Sequence, residues 1–147
     1  MSRENMEFVK GLWAAGASMD KQALLAALPD LIAQTCDSEI EWVEDPQRVD
    51  GRVYRGHEGV RESWERWLEN FDEWGFEVER ISDHGNRVLV VAVEHGRGSV
   101  SEAEVSARNY MVFTFRAGKI LRYQEFYDEP QALEAVGLSE QDAHADS

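Results

Sequence analysis

The sequence predicts an α+β fold in which helices come first and an antiparallel β-meander follows. Apolar residues recur at helical spacing between Met6 and Ile32 and again over His57 to Glu73. From Trp74 onward they alternate as half-buried strands do, and short glycine-containing turns separate those strands. A chain of 147 residues fits one domain, expected over 1–138 and followed by a polar tail at 139–147.

Ser2 is suited to cap a first helix carrying Met6, Val9, Leu12 and Trp13, which should end near Gly16. A second helix starts at Ser18 or Asp20, carries Leu24, Leu25 and Leu28, and should stop before Pro29, with a short helical turn after it. Glu39 to Val43 alternates as a strand with Ile40 and Trp42 on one face. Glu44 to Gly56 contains Pro46, two glycines and no periodicity, so it reads as a loop near a pocket mouth or an edge strand.

The clearest helix is His57 to Glu73, where Val60, Trp64, Trp67, Leu68 and Phe71 share a face. That spacing favours plain packing for both tryptophans, with Trp64 the better pocket candidate. Trp74 to Ser82, Arg87 to His95 and Ser101 to Phe115 read as strands, broken by turns at Asp83 to Asn86 and Gly96 to Ser99. A last short helix runs from Pro130 to Val136, with Gly137 after its end.

Asn109 to Asp128 reads as a hairpin with two available registers. A two-residue loop at Ala117-Gly118 sets Phe115 opposite Ile120 and Phe113 opposite Arg122. A three-residue loop with Gly118 left-handed sets Phe113 opposite Leu121, Met111 opposite Tyr123 and Asn109 opposite Glu125. The second gathers the apolar side chains on one face and is the expectation. The other face would then carry Val112, Thr114, Ile120 and Phe126, a partly apolar surface suited to a homodimer.

Composition narrows the partners. Hydrophobic residues at 43% with five Trp describe a globular chain, and a net charge of −14 argues against nucleic acid or an anionic membrane as partner. No run reaches membrane-spanning length and the N-terminus lacks a signal-type apolar core, so a cytoplasmic location is expected. The single Cys36 has no internal disulfide partner, and the scattered histidines have no metal-ligand spacing. Neither metal nor cofactor is expected, and Glu44 and Asp45 read as solvated acids.

Glu125 is the sharpest chemical candidate. A carboxylate on the face of Met111, Phe113 and Tyr123 is desolvated, which disfavours its charged form and suits it to proton transfer near neutral pH. Asn109 could hold a water or polarise a carbonyl, and Tyr127 or Tyr54 could donate to a developing oxyanion. The alternative is a frayed strand end where Glu125 meets solvent or Arg108. His95 would reach the pocket if Leu89, Val91 and Val93 face it. Trp42, Tyr54, Trp64, Met111, Phe113 and Tyr123 complete the expected wall.

Tyr54-Arg55-Gly56-His57-Glu58-Gly59-Val60-Arg61, the Glu41-Trp42 strand, Gly118-Lys119-Ile120, Tyr127-Asp128 and Ala132-Leu133-Glu134-Ala135 with Gly137-Leu138 resemble the SnoaL-like polyketide cyclase family. That family sits in the nuclear transport factor 2-like superfamily with ketosteroid isomerase and limonene epoxide hydrolase. The resemblance spans Ser2 to Leu138 and implies a cone-shaped fold, a curved sheet wrapped around helices, and frequent homodimers. It also implies metal-independent chemistry on an apolar, carbonyl-bearing small molecule, with the cyclase Asp replaced here by Glu125. Relatives often carry His where this chain has Met111, and the usual His-Pro-Asp is missing from Leu28 to Ser38. A non-catalytic binding protein or dimeric scaffold is the competing reading.

Overall fold

The computed structural model describes residues 20–45, 51–98 and 104–137, together with Glu7 and Val9. The expected first helix otherwise lies outside the described residues, as does the tail after Gly137. Glu7 and Val9 are helical, and Val9 is fully enclosed in the core.

Helix α1 runs Lys21–Thr35, capped by Asp20, whose carboxylate accepts from the Ala23 N–H at 2.7 Å. It does not stop at Pro29. A proline inside a helix costs about 3 kcal/mol through its missing N–H and the crowded carbonyl behind it. Leu24, Leu28 and Ile32 are buried along the same helix face, and each such side chain gains about 1.5–3 kcal/mol. Packing on both sides of Pro29 therefore outweighs the local penalty.

Strand β1 (Cys36–Val43) puts Ile40 and Trp42 inside, as the alternation required. The loop expectation for Glu44 to Gly56 resolves into a short edge strand β2 (Val53–Arg55), antiparallel to β1, with 46–50 outside the described residues. Helix α2 (Gly56–Glu69) ends four residues earlier than the periodicity suggested. Phe71 instead opens β3 (Phe71–His84), its ring 5.1 Å from that of Trp67. A buried aromatic continues the apolar pattern whether the backbone is helical or extended, so periodicity could not locate this boundary.

Strand β4 (Arg87–Gly98) continues through the expected turn at Gly96. A Cβ at Gly96 would lie 2.5 Å from the Phe71 ring, so this glycine permits close packing across the sheet. Strands β5 (Glu104–Arg116) and β6 (Lys119–Phe126) complete a six-stranded sheet of order β2-β1-β6-β5-β4-β3, antiparallel except where β1 runs parallel to β6. Helices α1 and α2 pack on its inner face with Ile40, Val88, Val90, Met111 and Phe113.

The β5–β6 register corrects the expectation. The turn has two residues, Ala117 and Gly118, both at positive φ (50° and 79°), between paired Arg116 and Lys119. Continued without interruption, that turn would set Arg122 opposite Phe113 and bring a guanidinium into the core. A bulge at Leu121 prevents this: Phe115 faces Ile120, Phe113 faces Tyr123, and Met111 faces Glu125. Arg122 turns outward to Glu41 at 3.3 Å. Asn109 is therefore opposite neither Glu125 nor any residue of β6 within the paired ladder.

On the outer face, helix α3 (Glu129–Ala135) covers the sheet, with Ala132 and Leu133 against Leu89, Val91, Tyr110 and Val112. This changes the expected dimer surface. Val112 is fully buried, Phe126 packs against the same cluster, and Ile120 faces the inner core. Leu133 is wholly enclosed, so Leu133→Ala should cost about 2–5 kcal/mol in urea unfolding. A loss of only a few tenths would mean that α3 contributes little to holding the outer face.

Candidate functional site

The parallel pairing of β1 with β6 sets Trp42 beside Tyr123 and stacks their rings, 3.9 Å between centroids and 22° between planes. Phe113 tilts against Tyr123 at 5.2 Å, and Trp64 from α2 stands 6.3 Å from Trp42. These rings divide the interior into two cavities that share Trp42 and Trp64 in their walls.

The first, about 40 Å³, is bounded by Trp42, Trp64, Trp67, Phe76, Met111 and Tyr123, with Glu44, Ser63, Glu94 and Glu125 as its polar lining. A space of this size holds a small group or a few waters. The second, about 80 Å³, is apolar, lined mainly by Leu24, Leu28, Leu31, Ile32, Val60, Phe113 and Ile120 with Cys36 at its wall. Burial raises the Cys36 thiol pKa, so this cysteine stays protonated and unreactive.

Each carboxylate of the first cavity is held by a defined donor. Glu125 accepts from the Tyr123 hydroxyl at 3.3 Å and from the Asp45 N–H at 3.4 Å. Glu44 accepts from Ser63 Oγ at 2.7 Å and the Arg52 N–H at 3.2 Å. Glu94 accepts from Asn109 Nδ2 at 2.6 Å. Behind them Asp45 is fully buried and accepts the Tyr127 N–H at 2.7 Å, tying the β1 loop to the end of β6. Burial, reinforced by the charges of Glu125 and Glu94, holds the Tyr123 hydroxyl well above the ordinary phenol range, so it remains a donor.

Trp42, Trp64, Met111, Tyr123 and Glu125 thus line the acidic cavity, and Phe113 lines the apolar one. Asn109 is fully buried and reaches the cavity through Glu94. Tyr54 is buried but faces away, its hydroxyl accepting from Arg66 at 2.8 Å, and Tyr127 gives its backbone N–H to Asp45 while its phenol lies close enough to help raise the Tyr123 pKa. His95 is exposed. Strand β4 turns Val88, Val90, Ala92 and Glu94 inward and Leu89 and Val91 outward, the reverse of the parity that would deliver His95. Arg108 bonds Glu79 in a bidentate pair at 2.7 and 3.1 Å, on the exposed face away from Glu125.

Glu44 and Asp45 correct the reading of them as solvated acids. Counting by two from Ile40 through Trp42 reaches Glu44, so the inward parity of β1 extends one step past the strand and was available as a signal. Ser63 and Trp67 lie on the helix face already assigned to the core. Among the described residues no group of three or more His, Cys, Asp or Glu is arranged to hold a metal ion, and no helix is long and apolar enough to cross a membrane.

The SnoaL-like domain family matches residues 17–123. The chain belongs to the SnoaL-like family. No curated protein matches it in sequence. Among solved structures it is similar to a protein described as a SnoaL-like polyketide cyclase from Jannaschia sp. CCS1, with TM-score 0.69, 17% identity, and 92% of each chain covered. An NTF2-like protein of unknown function from Burkholderia pseudomallei K96243 gives TM-score 0.68 at 16% identity, covering 91% of this chain and 98% of that one. A hypothetical protein of ketosteroid isomerase-like fold from Catenulispora acidiphila DSM 44928, in complex with trimethylamine, gives TM-score 0.60 at 17% identity, covering 80% and 91%. At these identities the likeness establishes the NTF2-like fold.

Within this SnoaL-like chain the raised Tyr123 pKa has a measurable consequence. The folded phenol ionises above its ordinary value, as Tyr110 also does, so between the two pKa values the folded state binds more protons than the unfolded one. Stability is therefore fully present below about pH 10 and falls as pH rises further. Tyr123→Phe should make that alkaline decline shallower in denaturation measured across pH 9 to 12; an unchanged slope would place the loss elsewhere.

Proposed function

We propose that this SnoaL-like protein is a metal- and cofactor-independent enzyme of the cyclase or isomerase type. Glu125 is its general base, acting on a small carbonyl-bearing molecule whose apolar part enters the chamber beyond Trp42 and Trp64. The observation that carries the reading is Glu125 itself, a buried carboxylate with one oxygen toward the Tyr123 hydroxyl and the other toward the Asp45 N–H, at the wall of a cavity. A base positioned by hydrogen bonds and screened from bulk water needs little reorganisation to take a proton.

The supporting chemistry is local. Met111, Tyr123 and Trp42 give the cavity that holds the base a low-polarity wall, and Asn109 donates to Glu94, which lines the same cavity. The Catenulispora neighbour of the same fold was crystallised with trimethylamine, which supports an interior that admits small molecules. Self-association belongs to the same proposal, through parts of the outer sheet that α3 leaves uncovered, and light scattering decides it.

Proton transfer can be read without knowing the natural product, by following deuterium uptake at the α-carbon of small ketones in D₂O. The protein should accelerate uptake by roughly 10²-fold or more, and Glu125→Gln should abolish that acceleration while leaving the circular dichroism spectrum and melting behaviour close to the parent. Equal exchange by parent and variant would remove Glu125 from the chemistry.

A further inference from the structure

We propose that Trp64 sets the substrate class at this site: a carbonyl compound carrying one compact aliphatic group, with fused-ring compounds excluded. This rests on the reading of Glu125 as the base at the carbonyl end and adds the size and shape of the other end.

The two cavities lie end to end along the same elements. On β5, Met111 lines the acidic cavity and Phe113 the apolar one; on β6, Tyr123 and Glu125 line the first and Ile120 the second. Helix α2 is divided in the same way, with Val60 on the apolar side and Ser63 and Trp67 on the acidic side. Trp64, one turn after Val60 on the same helix face, stands at the boundary and lines both cavities together with Trp42. A ligand whose carbonyl faces Glu125 therefore runs lengthwise past the two indoles, and its remaining atoms meet Leu28 and Ile32.

Volume fixes what that far end can be. A buried apolar cavity of about 150 Å³ takes up benzene, whereas the apolar chamber here is about 80 Å³ and the acidic one about 40 Å³. The larger chamber thus accepts a short branched alkyl group rather than an aromatic ring, and the smaller an acetyl-sized group. Leu28, Ile32, Phe113 and Ile120 are themselves buried, so the walls widen only by disturbing a packed core. The Thr35 hydroxyl at the chamber wall donates to the Leu31 carbonyl of its own helix at 2.6 Å, which keeps that surface apolar.

The boundary itself favours Trp64 over Trp42 as the selecting residue. Their ring centroids are 6.3 Å apart at 53°, the spacing of a packed aromatic pair, which leaves no slot for a third ring between them. Trp42 is buried and clamped on its other face by Tyr123 at 3.9 Å. Trp64 is half-buried and projects from a helix, so shortening it opens the boundary while the stack of Trp42 on Tyr123 stays in place.

Isobutyl methyl ketone and methyl naphthyl ketone offer the same acetyl group and differ in the group behind it, and equilibrium dialysis against the intact protein compares them. In an open pocket the naphthyl ketone binds more tightly, because affinity rises with apolar area buried. The parent should reverse that order and bind the branched ketone saturably and at least roughly tenfold more tightly. Trp64→Leu, with folding checked by circular dichroism, should strengthen the naphthyl ketone by roughly tenfold; Trp64→Phe should shift it in the same direction and replaces the leucine variant if that one does not fold. Leu133→Ala, which loosens the fold from the outer face, should keep the parent's order. Tighter binding of the naphthyl ketone by the parent, no saturable binding of the branched ketone, or a folded Trp64 variant with the parent's order overturns the inference. Glu125→Gln keeps both chambers and should show the parent's order, so the size order in a parent that exchanges no ketone deuterium would sink the proton-transfer reading alone.

Discussion

The parallel seam between β1 and β6 is the constraint on which the interior depends. It joins strands far apart in the chain and does so with a defined register, Trp42 beside Tyr123, so that two large rings stack where the sheet is most enclosed. Stacked aromatics bury a large area and gain about 0.5–1.5 kcal/mol beyond it. The bulge at Leu121 makes the stack possible. It places Tyr123 inward and Arg122 outward, and it resets the parity so that Glu125, two residues on, also faces the interior. Without that single extra residue the strand would present Arg122 and Gln124 to the core.

Burying acidic side chains close together is unfavourable unless something else in the fold offsets it. Hydrogen bonds reaching in from four different elements contribute to that compensation: Ser63 on α2, Tyr123 on β6, Asn109 on β5, and the backbone on both sides of the segment joining β1 to β2. Asp45 is the buttress of this arrangement, since its own N–H serves Glu125 while its carboxylate accepts the Tyr127 N–H. The cavity is thus built by the same interactions that join β1 to β6, and loosening one is expected to disturb the other.

Much of this was legible in residue order. Alternation placed Ile40 and Trp42 inside, helical spacing found the inner face of α2, and the apolar company of Glu125 marked it before any coordinates. Three things were not legible, for physical reasons. Pro29 is a strong local signal that tertiary burial of Leu28 and Ile32 overrides. The strand β4 run from Val88 to Val93 is apolar on both faces because α1 and α2 cover one side and α3 the other, so alternation could not say which set faces the cavity, and Glu94 rather than His95 was delivered there. A bulge leaves no pattern of its own, so the hairpin register had to come from which pairing keeps Arg122 out of the core.

Charge links this local architecture to the whole molecule. A net charge of −14 surrounds the protein with a negative potential that extends about 8 Å at physiological ionic strength before screening takes hold. An anionic substrate would be repelled on approach. A cation is drawn in on approach by a long-range field that salt weakens. That long-range contribution is measurable on its own, because raising ionic strength slows association while leaving dissociation, governed by short-range contacts, nearly unchanged. The excess of acid in this chain therefore favours neutral or cationic partners over anionic ones at the encounter stage, before any contact inside the fold is made.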